Sequence, residues 1–136
     1  KILSEEERYR EIAQLVGEEA LPDEQRLILQ TADLIKRGFL QQNALDPVDT
    51  YCSLHKQFQM MKIIFDFYES AQRIIAKGAP MAKIISIDSL NGVRRMKNDL
   101  SNDDIDKFRA LHDKLLKDLS QLEEEYREEL DHGQGL

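Results

Sequence analysis

Residues 53–78, SLHKQFQMMKIIFDFYESAQRIIAKG, decide the fold that the sequence predicts. Two apolar lines run through this stretch at helical spacing, and neither shows the strict alternation of a strand. The first line is Leu54, Phe58, Met61, Phe65, Tyr68 and Ile75; the second is Met60, Ile64, Phe67, Ala71 and Ile74. Because two such lines give a helix a wide apolar surface, we predict that this helix lies at the centre of a bundle.

Two further helices are predicted before this stretch. Ser4 and Glu7 form a capping box, so a first helix is expected from about Glu5 to Val16, with Gly17 as its left-handed stop. The apolar face of that helix is Tyr9, Ile12, Ala13 and Val16. A second helix begins at Pro22 or Asp23, since proline is tolerated in the first turn. Its apolar face is Leu27, Ile28, Thr31, Leu34 and Ile35.

Three more helical segments follow the central one, which ends at Gly78-Ala-Pro80. A short helix is predicted from Pro80 to Ile85, and another starts at Asp88 or Ser89, although Asn91-Gly92 inside it is a turn signal. The last helix runs from about Asn102 to Leu130. Together these patterns predict an all-α fold, an irregular (orthogonal) helical bundle of about five to six helices. We expect one domain over residues 1–130 and a frayed tail at 131–136.

Composition excludes several classes of protein. The chain has 136 residues, of which 41% are hydrophobic and 33% charged, and its net charge is −7. An acidic surface argues against binding nucleic acid, which requires clustered lysine and arginine. No apolar run approaches the ~18 residues of a membrane-spanning helix. The single cysteine, Cys52, leaves no pair for an internal disulfide.

No motif in the sequence predicts catalysis. There is no Gly-x-x-x-x-Gly-Lys-Ser/Thr loop, no Cys-x-x-Cys and no His-Glu-x-x-His, so neither a phosphate-binding loop nor a metal site is predicted. His55, His112 and His132 lie far apart in sequence, and we expect packing or surface roles for them. With no catalytic residues and no metal ligands predicted, the chain is by default a binding or structural module.

The segment from Phe39 to Ser53 is a long connection between two helices, and it is called the joint below. It has no helical periodicity, and Pro47 biases Asp46 away from the helical region. Long ordered connections are more often functional than short ones.

The joint and the segment before the second helix carry a resemblance to a known family. Phe39-Leu-Gln-Gln-Asn-Ala, Asp46-Pro-Val-Asp-Thr-Tyr-Cys-Ser53 and Val16-Gly-Glu-Glu-Ala-Leu-Pro-Asp-Glu-Gln-Arg26 resemble the C-terminal domain of the catalytic A subunit of archaeal and vacuolar-type (A/V-type) rotary ATP synthases. The resemblance is specific from about Tyr9 to Tyr68 and looser beyond. The non-catalytic B subunit shares the Glu-Glu-Ala-Leu stretch but is less similar across Gln41-Gln-Asn43, which favours the A subunit.

The resemblance implies a rotor contact for the acidic turn between the first two helices. Its carboxylates, Glu18, Glu19, Asp23 and Glu24, resemble by position the acidic helix–turn–helix with which the F-type β subunit pushes on the central rotor. Ala20 and Pro22 depart from that F-type motif. The alternative is a polar helix turn with a good N-cap and no partner.

The resemblance also places the start of the joint beside a bound nucleotide. It implies that Phe39 and Ala44 flank the adenine, with Gln41, Gln42 or Asn43 offering amide or backbone groups. The alternative for Phe39 is a core position at the end of the second helix. The phosphate-binding half of such a site is expected upstream of Lys1, so no cofactor is expected on this chain alone.

For the parent protein, the resemblance implies ATP or ADP with Mg as cofactor and ATP synthesis or hydrolysis coupled to ion transport, hydrogen ions included. The partners it implies are neighbouring B subunits in an alternating hexamer and a central-stalk rotor subunit, without nucleic acid or direct membrane contact. The location implied is cytoplasmic, peripheral to the membrane. The rival hypothesis is a free-standing helical adaptor with an exposed apolar groove along Phe108 to Tyr126.

Overall fold

The computed structural model describes the backbone of residues 2–40 and 54–134, and the side chains of 2–39 and 54–127. These residues form α1 (Ile2–Val16), α2 (Asp23–Ile35), α3 (Leu54–Ala76), α4 (Met81–Ile85), α5 (Asp88–Asp99) and α6 (Ile105–Gln134). A 3-10 turn, Glu18–Ala20, precedes α2, and a π-helical segment, Lys36–Leu40, follows it. The described ranges contain no strand, and the predicted all-α bundle is confirmed.

Helix α3 is the central element, although only half of its predicted apolar surface is buried. It packs against α2, α5 and α6. Its second line, from Met60 to Ile74, is almost completely buried, but Leu54, Phe58, Met61 and Phe65 of the first line are exposed. Of the first line, Ile75 is buried and Tyr68 is half-buried, so the predicted wide apolar surface is only partly covered. The two lines lie roughly 120° apart around the helix, and the neighbouring helices cover the second line far more completely than the first.

The N-terminal helix departs from its predicted start and face. Since α1 begins at Ile2, Ser4 lies inside the first turn and is not the N-cap of a capping box. Ile12 and Val16 are exposed, so the predicted apolar face does not enter the core either. The buried residue of α1 is Glu6, whose carboxylate accepts hydrogen bonds from Lys36 Nζ and, at 3.0 Å, from Arg10 Nε. An ion-pair cluster therefore joins α1 to the segment that follows α2.

Helix α5 runs straight through the predicted turn signal. Gly92 lies inside the helix, and a Cβ there would come within 2.8 Å of Leu111 Cδ1 on α6. The missing side chain lets α5 and α6 approach closely, and Ser89 Oγ donates a hydrogen bond to Asp118 Oδ2 at 2.8 Å between the same two helices. Gly92 therefore serves helix packing and not a turn.

Helix α6 closes the bundle. Asp104 precedes its first residue and accepts a hydrogen bond from the Ser101 amide at 2.8 Å, which lowers the pKa of the Asp104 carboxyl. The helix ends at Gln134, four residues beyond the predicted Leu130. No glycine or proline interrupts the chain between Ile105 and Gly133, which explains the longer helix.

The stretch of α6 from Phe108 to Tyr126, where the adaptor hypothesis expected an exposed apolar groove, does not form one. Phe108, Leu115, Leu119 and Leu122, which would line it, are all buried in the core. No helix in the described part of the chain is both long enough and apolar enough to cross a membrane.

Candidate functional site

The acidic turn between α1 and α2 is a tightly bonded connection. Gly17 adopts φ 91°, a conformation that residues with a Cβ rarely reach, and its amide donates to the Ala13 carbonyl at 2.8 Å. The Ala20 amide donates to the Gly17 carbonyl at 3.2 Å, and the Leu21 amide to the Glu18 carbonyl at 3.1 Å. Helix α2 then begins at Asp23, one of the two predicted starts, and the Pro22 carbonyl accepts hydrogen bonds from the Gln25 and Arg26 amides at 3.0 Å. Backbone bonds therefore fix the path of this turn.

The side chains of the turn divide into one anchor and several exposed groups. Leu21 is buried, so it holds the turn against the body of the domain. Glu18, Glu19 and Glu24 are exposed, and Asp23 is partly exposed. Within the described ranges none of these carboxylates forms an ion pair; Gln30 Nε2 donates to Glu18 Oε1 at the long distance of 3.5 Å. The four predicted residues thus lie together on one exposed turn.

Sequence reasoning missed the apolar neighbours of this turn. Leu15 is 86% exposed and Val16 is 60% exposed in the last turn of α1, directly before the acidic residues. The periodicity placed Val16 on a buried face, because it cannot show which helix lies opposite. The mismatch between an apolar residue and its exposure is visible only in the structure.

The Glu6 cluster supports the turn from the far end of α1. Lys36 belongs to the π-helical segment after α2, so its contact with Glu6 joins the first and last parts of the α1–α2 pair. The hydrogen bond from Lys36 holds the pKa of the Glu6 carboxyl below its ordinary value; burial opposes this effect and the Arg10 bond adds to it. Contacts therefore join the two helices at both ends of the pair: at the turn that connects them, and at the other end through Glu6 and Lys36.

The predicted adenine-side stretch is described only at its first residues. Phe39 is half-buried and packs against the core, inside the π-helical segment. π-helical turns are rare and often occur at functional sites. Gln41, Gln42, Asn43 and Ala44 lie outside the described residues, as do Asp49, Cys52 and Ser53. The core packing of Phe39 agrees with the alternative given for this residue and leaves its proposed role beside adenine as a prediction.

Other pairs of titratable side chains link helices of the bundle to one another. His112 Nε2 lies 2.6 Å from Asp66 Oδ2, joining α6 to α3, and Lys77 Nζ donates to Glu123 Oε1 at 2.5 Å between the end of α3 and α6. The bond from Lys77 lowers the pKa of the Glu123 carboxyl. Among the described residues no cluster of histidine, cysteine or carboxylate side chains could hold a metal ion. The described residues thus form an all-α domain whose prominent surface feature is a fixed, exposed acidic turn.

Comparison with known proteins identifies the family. A family model described as the C-terminal domain of V and A type ATP synthase matches residues 1–85. The chain is 43% identical over 128 residues to a V-type ATP synthase alpha chain of Halothermothrix orenii, covering 94% of this chain and 22% of that relative. It is 42% identical over 127 residues to V-type ATP synthase alpha chain 2 of Clostridium tetani, covering 93% and 22%. It is 40% identical over 125 residues to the A subunit of the A-type ATP synthase of Methanopyrus kandleri, covering 92% and 21%. The chain therefore belongs to the family of C-terminal domains of V and A type ATP synthases.

These relatives are alpha chains or A subunits, and the predicted match to the A-subunit domain is confirmed. The similarity extends well past Tyr68, where the resemblance was expected to become loose. The chain spans 21–22% of the length of these relatives.

Proposed function

We propose that this domain transmits nucleotide-driven motion of an A subunit to a central rotor through the acidic turn. The observation that carries the proposal is the fixed path of that turn together with its exposed carboxylates, which form no ion pair within the described residues. Backbone hydrogen bonds hold the turn at one end of the α1–α2 pair, and the buried Leu21 anchors it. A turn that cannot bend independently of the bundle passes displacement on to whatever it touches.

The rotor surface that fits this turn is basic with an apolar component. Glu18, Glu19 and Glu24 attract lysine or arginine on a facing coiled coil, with an attraction that salt screens. Leu15 and Val16 offer apolar area beside those charges. Contact of the apolar residues is insensitive to salt, so part of the rotor affinity should persist at high ionic strength.

The parent complex in this proposal makes or hydrolyses ATP and couples that reaction to ion transport. The names of the relatives support it, since they are ATP synthase subunits. ATP or ADP with Mg would bind upstream of this domain, and B subunits would alternate with the parent in a hexameric head. That head would be cytoplasmic and peripheral to the membrane.

Charge reversal of the turn tests the rotor proposal. Replacing Glu18, Glu19, Asp23 and Glu24 together by lysine in the assembled complex should weaken rotor affinity by about tenfold or more at low salt and uncouple ATP hydrolysis from ion transport. The measurements are rotor affinity and the ratio of ions moved to ATP hydrolysed.

A variant with the same change in net charge controls for a general electrostatic effect. The exposed residues for it are Asp103, Asp106, Asp113 and Glu125, each replaced by lysine. This control should leave affinity and coupling close to wild type. Equal behaviour of the two quadruple variants would refute a specific role for the turn.

The second part of the proposal assigns Phe39 to the adenine side of the nucleotide site. Its ring is half-buried, so part of its surface remains available to a flat base. In the full-length protein, Phe39→Leu retains apolar packing and removes the stacking surface, so we expect about tenfold weaker ATP binding without a large loss of stability. Titration with ATP and a thermal unfolding measurement separate the two effects. Unchanged affinity would identify Phe39 as a core residue only.

A further inference from the structure

Three arginines line a depression between α5 and the π-helical segment after α2. Its volume is about 310 Å³, and its walls are Arg37, Asn91, Arg94 and Arg95. The three residues from α5 lie on one face of that helix, because their positions are three and four residues apart. Arg37 comes from the segment Lys36–Leu40, which packs against α5. Two separate elements therefore bring the guanidinium groups together.

Two of the arginines are held by carboxylates of their own helical turns and still reach solvent. Arg37 Nε donates to Asp33 Oδ2 at 2.8 Å, and the Arg37 side chain is 49% exposed. Arg95 Nε lies 3.7 Å from Asp99 Oδ2, and the Arg95 side chain is 66% exposed. Neither contact involves the two terminal nitrogens, which carry the other N–H donors of each guanidinium.

The third arginine, Arg94, has hydrogen bonds but no opposite charge. Its Nη1 donates to Asn91 Oδ1 at 3.1 Å, and its Nη2 donates to Gln30 Oε1 at 3.3 Å. Both acceptors are neutral amides, and within the described residues no carboxylate pairs with Arg94. Because Gln30 belongs to α2, its contact fixes the guanidinium between two helices. The depression therefore holds one positioned positive charge in excess, on a chain whose net charge is −7.

The shape and lining of the depression favour a small anion with several oxygens. A single forked guanidinium already satisfies both oxygens of a carboxylate, whereas a phosphate has further oxygens that accept from several arginines. About 310 Å³ lies at the small end of ligand sites. Among the described residues no aromatic or aliphatic side chain lines it, so nothing there would hold a nucleotide base.

We propose that this depression, the arginine site, binds inorganic phosphate or another small phosphate-class anion. Arg94 supplies the unbalanced charge, Arg37 and Arg95 donate from either side, and the Asn91 amide, whose oxygen faces Arg94, has N–H groups left to donate. The site is separate from the nucleotide site expected upstream of this domain. It goes beyond the function proposed above and does not depend on a rotor contact.

Titration of the 136-residue chain with inorganic phosphate at constant ionic strength tests this site. The readout is the shift of the arginine side-chain Nε–H signals in NMR spectra. We expect saturable binding with a Kd of about 1 mM and shifts concentrated at Arg37, Arg94 and Arg95. Sulfate, which has a similar tetrahedral set of oxygens, should compete, and acetate at equal concentration should not.

Three single variants locate the binding. Arg94→Gln should weaken phosphate binding at least about tenfold, and Arg37→Gln about threefold, because each removes a charged donor. Arg109→Gln, at an exposed position of α6, makes the same change in net charge and should leave the affinity unchanged. Arg37→Gln also decides the result if Arg94→Gln fails to fold.

Three outcomes would overturn the proposal. The first is the absence of saturable phosphate binding. The second is equal weakening by Arg109→Gln and the two site variants, which would show a diffuse attraction. The third is acetate binding as tight as phosphate binding, which would assign the arginines to carboxylates such as the acidic side chains of a protein.

Discussion

At the scale of single residues, Glu6 contacts the rest of the domain through its charge, on a helix that buries little apolar surface. The rest of α1 contributes little to the core, so the carboxylate bound by Lys36 and Arg10 holds the helix in place. Because these bonds favour the ionised form, the pKa of Glu6 is lower in the folded chain than in the unfolded chain. The stabilisation is fully present above the pKa of the unfolded state and is lost as the pH falls through the pKa of the folded state.

A Glu6→Gln substitution should therefore lower the free energy of unfolding by about 2 kcal/mol at neutral pH, because charged hydrogen bonds are replaced by weaker ones. The difference between the variant and the wild type should shrink as the pH falls below the ordinary pKa of a glutamate and through the lowered pKa of Glu6 in the folded chain. Denaturant unfolding at a series of pH values checks both statements. A difference that stays constant with pH would show that the Glu6 cluster does not act through its charge.

Single-residue signals in the sequence had mixed outcomes: Gly17 adopts the predicted left-handed conformation, whereas two other signals misled. The Ser4–Glu7 pattern matches a capping box, yet the helix begins at Ile2, three residues before the predicted start at Glu5. Gly92 matches a turn signal, yet its small size serves the contact with Leu111. A local pattern states what a residue can do, and the tertiary neighbours decide which use is made of it.

At the scale of elements, α3 carries two apolar lines that differ in burial. Phe67 is completely buried, whereas Phe58 on the other line is 63% exposed. In the 136-residue chain, Phe67→Ala should cost about 3–5 kcal/mol through loss of burial and a cavity. Phe58→Ala should cost less than about 1 kcal/mol there, because water already surrounds most of its ring. Chemical denaturation of both variants provides the comparison; equal costs would mean that the Phe58 line also packs within the domain.

Helix periodicity predicted well where the helices lie in the sequence. It predicted less well which faces of those helices are buried. The segments that became α2, α4 and α5 were located to within a few residues, and the face of α2 from Leu27 to Leu34 is buried as predicted. The two lines of α3 look equivalent in sequence, because both suit an apolar contact. Which line enters this bundle depends on the positions of α2, α5 and α6, which no local pattern contains.

At the scale of the whole molecule, the domain is a helical bundle with an exposed acidic turn at one end of the α1–α2 pair. The apolar neighbours of the turn, Leu15 and Val16, are exposed beside it. The sequence predicted the four carboxylates as a group, and the structure places them on one exposed turn. Their proposed partner came from the resemblance, because exposed acidic residues alone do not identify what they bind.

The measurement that tests the central claim most directly is a site-specific cross-link from the acidic turn. A photoactivatable side chain at Glu19 in the assembled complex, with the same group at Glu125 as control, samples the neighbours of each position without reversing the charge of the turn as a whole. We predict a product that joins the Glu19 position, and not the Glu125 position, to the central-stalk rotor. Cross-links from Glu19 only to other proteins of the head, or none at all, would contradict the proposal that this turn drives the rotor.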